Sequence, residues 1–200
     1  MKITALALLF AAGLMVGAAS LMSGNAQAQQ PANDKLENTL YLDLKGGRVV
    51  IQLRPDLAPV TTARIKELAR AHFYDGVVFH RVIEGFMAQG GDPKGTGTGG
   101  SGKSLPDEFP RGPGDHYKRG VLAMANAGRG TSDSQFFIML ADYPLQPDYT
   151  IFGQVVSGME FVDQIKKGDS FNNGAVSNPD KIIHMQVAAD VKAQPAAAAQ

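Results

Sequence analysis

The 200-residue chain contains no cysteine and no tryptophan, and its 19 lysines and arginines balance 19 aspartates and glutamates. The missing thiol excludes disulfides, thiol nucleophiles, zinc–thiolate sites and a lipid-modified N-terminal cysteine. The charge balance gives no electrostatic footprint for nucleic acid. His72, His80, His116 and His184 are scattered without ligand spacing, so no metal site is expected. The length suits one domain with a sizeable core and is short for two.

An apolar stretch opens the chain. Lys2 supplies a positive start, residues 3–22 are uncharged and mostly apolar, and Ala26-Gln27-Ala28 has the small-x-small form of a cleavage site. Residues 1–28 therefore read as a secretory signal, cut after Ala28. An uncleaved anchor is the alternative, since about 20 apolar residues can span a bilayer. Cleavage would remove one lysine and no acid, leaving 18 basic against 19 acidic residues. Periplasmic or secreted localisation follows, with membrane contact only through the signal.

Residues 29–37 read as a flexible polar leader. Leu40, Leu42 and Leu44 alternate with polar residues, as do Val49, Ile51 and Leu53 beyond Lys45-Gly46-Gly47, which predicts a hairpin. Pro59 can open a helix in which Ile65, Leu68 and Ala69 share a face. A strand is expected over 77–83, with Phe79, Arg81 and Ile83 on one face and Val78, His80 and Val82 on the other. His80 reads there as a hydrogen-bonded histidine of the apolar face. Further strands are expected at 121–126, 135–140, 151–156 and 182–187. A short helix carrying Met159, Val162 and Ile165 precedes the last of these, and 188–200 read as a disordered, alanine-rich tail. On these residues alone the fold is a mostly antiparallel barrel or sandwich with two helices.

Gly97 to Ser104 fits the phosphate-loop pattern G-x-x-x-x-G-K-[ST]. That loop works when a buried strand enters it and a helix leaves it. Here Pro106, Pro110 and Pro113 oppose a helix on the exit side. No nucleotide is expected.

Arg81 is a permanent cation with a planar fork of donors, and Phe86, Met87 and Gln89 follow closely. Such a grouping suits a shallow pocket gripping a neutral, polar backbone. Taken singly, Arg81 could as well sit on a surface strand, with Phe86 and Met87 in the core.

Five segments, read in order, carry more. They are Phe79-His80-Arg81-Val82-Ile83, Gly85-Phe86-Met87-Ala88-Gln89-Gly90-Gly91-Asp92, Gly97-Thr98-Gly99-Gly100, Met124-Ala125-Asn126-Ala127-Gly128 and Ser134-Gln135-Phe136-Phe137-Ile138. Together they closely resemble the signature segments of the cyclophilin family of peptidyl-prolyl isomerases, over roughly residues 38–187. The resemblance implies a closed eight-stranded antiparallel β-barrel capped by two α-helices, with the groove on its outer surface. It implies a monomeric isomerase of X-Pro bonds needing no cofactor, with proline-containing peptides and folding exported proteins as partners.

Arg81 matches the family's catalytic arginine. Phe86, Met87, Phe137 and Leu145 match the proline pocket, and Gln89, Ala125, Asn126 and Gln135 match positions that hold the peptide backbone. Gly97 lies in a loop beside the groove. Many cyclophilins carry Trp-Leu-Asp-Gly before the next strand, whereas this chain has Pro144-Leu145-Gln146-Pro147-Asp148-Tyr149. Pro144 then falls at the tryptophan position and Tyr149 at a common histidine position, keeping a ring in the wall. The missing tryptophan donor implies weak cyclosporin binding. A binding-class alternative is a proline-peptide chaperone or scaffold of the same fold with little turnover.

Overall fold

The computed structural model describes residues 33–111 and 116–191. The signal segment, the start of the leader and the tail from 192 onward lie outside the described residues. Residues 33–37, within the stretch read as a flexible leader, are helical, and Thr39 Oγ1 donates to Lys35 O at 2.8 Å.

The hairpin forms as β1 (Thr39–Leu44) and β2 (Gly47–Leu53), with Leu40 opposite Ile51 and Leu42 opposite Val49. All four side chains are fully buried, so the two-residue period fixes the register. Helix α1 (Pro59–Arg70) buries Ile65, Leu68 and Ala69 and packs against the last strand of the sheet. Its first residues have no local cap. Glu108, far along the chain, accepts the Val60 and Thr61 N–H groups at 3.0 and 2.8 Å instead.

The remaining elements are β3 (Arg81–Ile83), β4 (Met87–Gly90), β5 (Val121–Met124), β6 (Phe136–Met139), β7 (Ile151–Ser157), α2 (Met159–Asp163) and β8 (His184–Val187). All eight strands belong to one curled antiparallel sheet in the order β3-β4-β6-β5-β7-β2-β1-β8. Its two ends meet without a strand ladder. Phe79 N–H donates to Asp180 O, and Ile182 N–H to Val77 O, at 3.0 and 2.9 Å.

That seam shortens two expected strands. Val77, Phe79 and Ile182 direct backbone groups across it, leaving β3 with three residues and β8 with four. Strict alternation through 77–83 also fails, because Phe79 and Val82 both enter the main core. The strand β4 was invisible to the periodicity reading because Met87 and Ala88, on opposite faces, are both buried. At the C-terminal end, Ala188–Asp190 forms a 3₁₀ turn rather than a disordered tail. Ala188 is buried and Asp190 pairs with Arg70 at 2.8 Å.

Two apolar clusters explain why β4, β5 and β6 are buried on both faces. Ala88, Leu122, Met124, Phe136 and Ile138 join the main core inside the sheet. Met87, Val121, Ala123, Phe137 and Met139 form a second cluster on the opposite face, together with Tyr117 and Ile151. Ile83, Phe86, Ala125, Leu145 and Tyr149 pack on its edge.

Candidate active site

The second cluster is the floor of the site. Register places Arg81 opposite Gln89, Gln89 opposite Phe137, and Phe137 opposite Ala123, a row across four strands. Period-2 alternation therefore puts cation, amide and aromatic ring side by side. Arg81, Phe86, Met87, Gln89, Ala125, Asn126, Phe137, Leu145 and Tyr149 enclose a cavity of about 110 Å³. Drug-sized ligands usually occupy roughly 300–1,000 Å³, so this one suits a single small ring.

A second cavity of about 450 Å³ adjoins it at Gln89, Ala125 and Asn126 and is completed by residues that include Gly97 and Gln135. All eleven residues expected at the site thus line one of two adjoining cavities.

Arg81 is half-buried, and burial lowers its pKa from the ordinary arginine value, with Tyr149 acting in the opposite sense. Arginine starts so high that it remains a cation. Its Nε donates to Asn173 O and its Nη2 to Asn173 Oδ1, both at 3.0 Å. Nη1 reaches Gln89 Oε1 at 3.2 Å and Met87 Sδ at 3.8 Å. Five N–H donors are available on a guanidinium, so at least one on Nη2 stays unengaged.

Asn126 uses its side chain on the fold. Its Nδ2 donates to Asp148 O at 2.9 Å, and its Oδ1 accepts the Gly128 N–H at 3.1 Å. Its backbone N–H and C=O make no hydrogen bond among the described residues, so the main chain of Asn126 is what the groove can offer a peptide.

Three contributors escaped the sequence reading. Asn173 frames Arg81. Tyr117 donates its hydroxyl to Tyr149 O at 2.9 Å and accepts the Tyr149 N–H at 3.2 Å, and burial pushes its phenol up to about 12. Tyr143 lies against Phe86, ring centres 4.4 Å apart. All three lie in irregular segments, where no period marks which way a side chain points. In the unusual 144–149 segment, Tyr149 meets Phe137 edge-on at 5.4 Å and keeps the wall aromatic. Pro144, at the expected tryptophan position, is exposed and lines neither cavity.

The phosphate-loop match is explained by two internal carboxylates. Asp92 accepts the N–H groups of Lys94, Thr96, Gly97 and Gly99, and Asp133 those of Ser101, Gly102 and Lys103. Residues 105–111, which follow the loop, form no helix. The backbone N–H groups of residues 97–99 and 101–103 are thus already engaged.

No cluster of three metal-ligating side chains occurs among the described residues. His80 departs from expectation, because neither ring nitrogen has a hydrogen-bond partner. Burial lowers its pKa and favours the neutral ring, with Asp92 opposing and Arg81 reinforcing that shift.

Comparison with known proteins gives the family of the chain. Residues 39–187 match the family model described as cyclophilin type peptidyl-prolyl cis-trans isomerase. The chain is 51% identical over 170 residues to a probable peptidyl-prolyl cis-trans isomerase of Brucella suis, covering 78% of this chain and 85% of that protein. It is 46% identical over 125 residues to peptidyl-prolyl cis-trans isomerase B of Bacillus subtilis, covering 62% and 87%. Among solved structures, a cyclophilin type isomerase of Cryptosporidium parvum, crystallised in the presence of the dipeptide Ala-Pro, superposes with a TM-score of 0.67 at 28% identity, covering 74% of this chain and 98% of that one. A cyclophilin from Hirschia baltica gives 0.69 at 20% identity, covering 86% and 84%.

Proposed function

The chain belongs to the cyclophilin-type peptidyl-prolyl cis-trans isomerases, and from that premise we propose that Arg81 is its catalytic residue, acting on X-Pro bonds of exported proteins as they fold. Rotation about the bond must break amide conjugation, a barrier of roughly 18–20 kcal/mol. No covalent bond breaks, so the enzyme need only prefer the twisted amide to the planar one.

As the amide twists, the prolyl nitrogen regains its lone pair and becomes a better acceptor, while the carbonyl loses polarity. A guanidinium donor fixed beside that nitrogen strengthens its bond in the transition state. The carrying observation is that Arg81 lines the 110 Å³ cavity together with Phe86, Met87, Phe137 and Leu145 and has donor capacity remaining on Nη2. In this reading Phe86, Met87, Phe137, Leu145 and Tyr149 hold the pyrrolidine ring. The Asn126 main chain binds the peptide backbone, and Gln89, Gln135, Ala125 and Gly97 shape the approach to it.

Measurement of cis-trans exchange in an Ala-Pro peptide by NMR tests the assignment. Arg81→Ala should lose most of the acceleration while still binding peptide. Unchanged acceleration in that variant would remove Arg81 from the mechanism.

The export reading rests on Lys2, the apolar run to Met22 and Ala26-Gln27-Ala28. Intact mass of the protein recovered from the periplasm or medium should start at Gln29. A chain retaining residues 1–28 in the membrane fraction would mean an anchored enzyme instead.

A further inference from the structure

We propose that Asn173 is a positioning residue for Arg81, fixing the guanidinium plane so that its remaining donors meet the prolyl nitrogen. The inference rests on the catalytic reading of Arg81. Asn173 engages two of its nitrogens at once, Nε through a backbone carbonyl and Nη2 through the side-chain oxygen, both at 3.0 Å. Two acceptors on adjacent donors define a plane, whereas one would leave a hinge. Gln89 Oε1, at 3.2 Å from Nη1, holds the other side.

The segment carrying Asn173 is itself tied to the strand that carries Arg81. Val82 N–H donates to Gly174 O at 2.8 Å, Gly168 N–H to Val82 O at 2.9 Å, and Val176 N–H to His80 O at 3.1 Å. Close approach requires small residues. A Cβ on Gly174 would lie 2.4 Å from Ile83 Cγ1, and one on Gly168 would lie 1.9 Å from Gly174 O. Asp169 closes the loop by accepting the Phe171 N–H at 2.9 Å on its side chain and the Gly174 N–H at 2.8 Å on its carbonyl.

Residue 173 must satisfy two demands. Its φ is +51°, a region that asparagine and glycine enter readily and most residues do not. Glycine would satisfy the backbone and retain the carbonyl acceptor, yet offer nothing to Nη2. Asparagine meets both demands, which explains its presence in an exposed loop outside the groove lining.

The test compares the purified exported protein with its Asn173→Gly and Arg81→Ala variants. Glycine preserves the positive φ and the carbonyl, so the loop keeps its path and only Oδ1 is lost. The expected result is a fall in kcat of roughly three- to tenfold, the effect of losing one ordinary hydrogen bond at an exposed site, with KM changed less than about twofold. Nitrogen-15 spectra should show separate, slowly exchanging Arg81 Nη signals in the parent and averaged ones in Asn173→Gly. Parent-like kcat and Nη signals in Asn173→Gly, beside an inactive Arg81→Ala, would overturn the positioning role and leave Arg81 catalytic. A fully active Arg81→Ala would overturn both.

Discussion

Gln89 and Gln135 are joined side chain to side chain, Nε2 of the first donating to Oε1 of the second at 3.0 Å. The contact has a direction. Arg81 can only donate, so Gln89 must present Oε1 to it and Nε2 to Gln135. Gln135 then has only Nε2 left, which donates to the Gly97 and Gly99 carbonyls at 3.0 and 2.8 Å. A cation at one end thus sets both amides and links Arg81 to the glycine-rich loop.

Gln135→Glu should therefore be worse than Gln135→Ala, because a carboxylate would face two carbonyl oxygens that need a donor. Isomerisation kinetics at neutral pH should show a fall of roughly tenfold or more in kcat/KM for the glutamate variant. Gln89→Ala and Gln135→Ala together should fall short of additivity by about 0.5–1.5 kcal/mol. An additive pair would mean that the two amides act separately.

Asp92 should make the fold sensitive to acid. Burial alone would raise its carboxyl pKa, but the four backbone N–H groups that it accepts outweigh burial and hold it at about 2. A folded-state value below the unfolded one adds stability above roughly pH 4, and that stability is lost as pH falls toward 2. The contribution at neutral pH is on the order of 2 kcal/mol. Asp92→Asn should lower urea-unfolding stability by at least that at pH 7, since an amide NH₂ would face backbone N–H donors. The gap between variant and parent should narrow at pH 3, whereas a pH-independent gap would assign the cost to packing alone.

The hairpin and α1 were legible because one element face is apolar and the other polar, and β5 to β7 because each carries a run of apolar residues, which in β5 and β6 covers both faces. The strand β4 was not, since Met87 and Ala88 are buried on opposite faces and show no period. Residues lining the groove were legible only through family resemblance; Arg81 read singly could have been a surface arginine. Asn173 and Tyr117 were missed for a further reason. Their partners, Arg81 and Tyr149, lie 92 and 32 positions away, and a contact of that span leaves no local signature.

Glu108 should stabilise α1 from a distance. The helix begins at Pro59 without a side-chain cap of its own, and both Glu108 oxygens take N–H groups of its first turn. Glu108→Ala should cost about 1–2 kcal/mol in chemical denaturation, the range for a lost cap at a dipole-favoured site. Glu108→Gln, retaining one acceptor, should cost roughly half of that. The isomerisation rate should be unchanged, because Glu108 lines neither cavity of the groove.

Tyr149 should act through its ring and its main chain, with the hydroxyl dispensable. The ring packs edge-on against Phe137 at 5.4 Å and Tyr117 at 6.2 Å, while its hydroxyl makes no hydrogen bond among the described residues. Tyr149→Phe should therefore match the parent in kcat/KM within about twofold. Tyr149→Ala removes the wall beside Phe137 and should raise KM more than it lowers kcat, because the loss falls on ground state and transition state alike. Tyr117→Phe gives the complementary result. It leaves every ring of the pocket in place but withdraws the hydroxyl that serves both Tyr149 N–H and C=O. If that anchor holds the 144–149 wall, KM rises in Tyr117→Phe as it does in Tyr149→Ala, with thermal unfolding only slightly lowered. If KM instead stays at the parent value, the wall is held by its own packing and by Asn126 Nδ2 on Asp148 O.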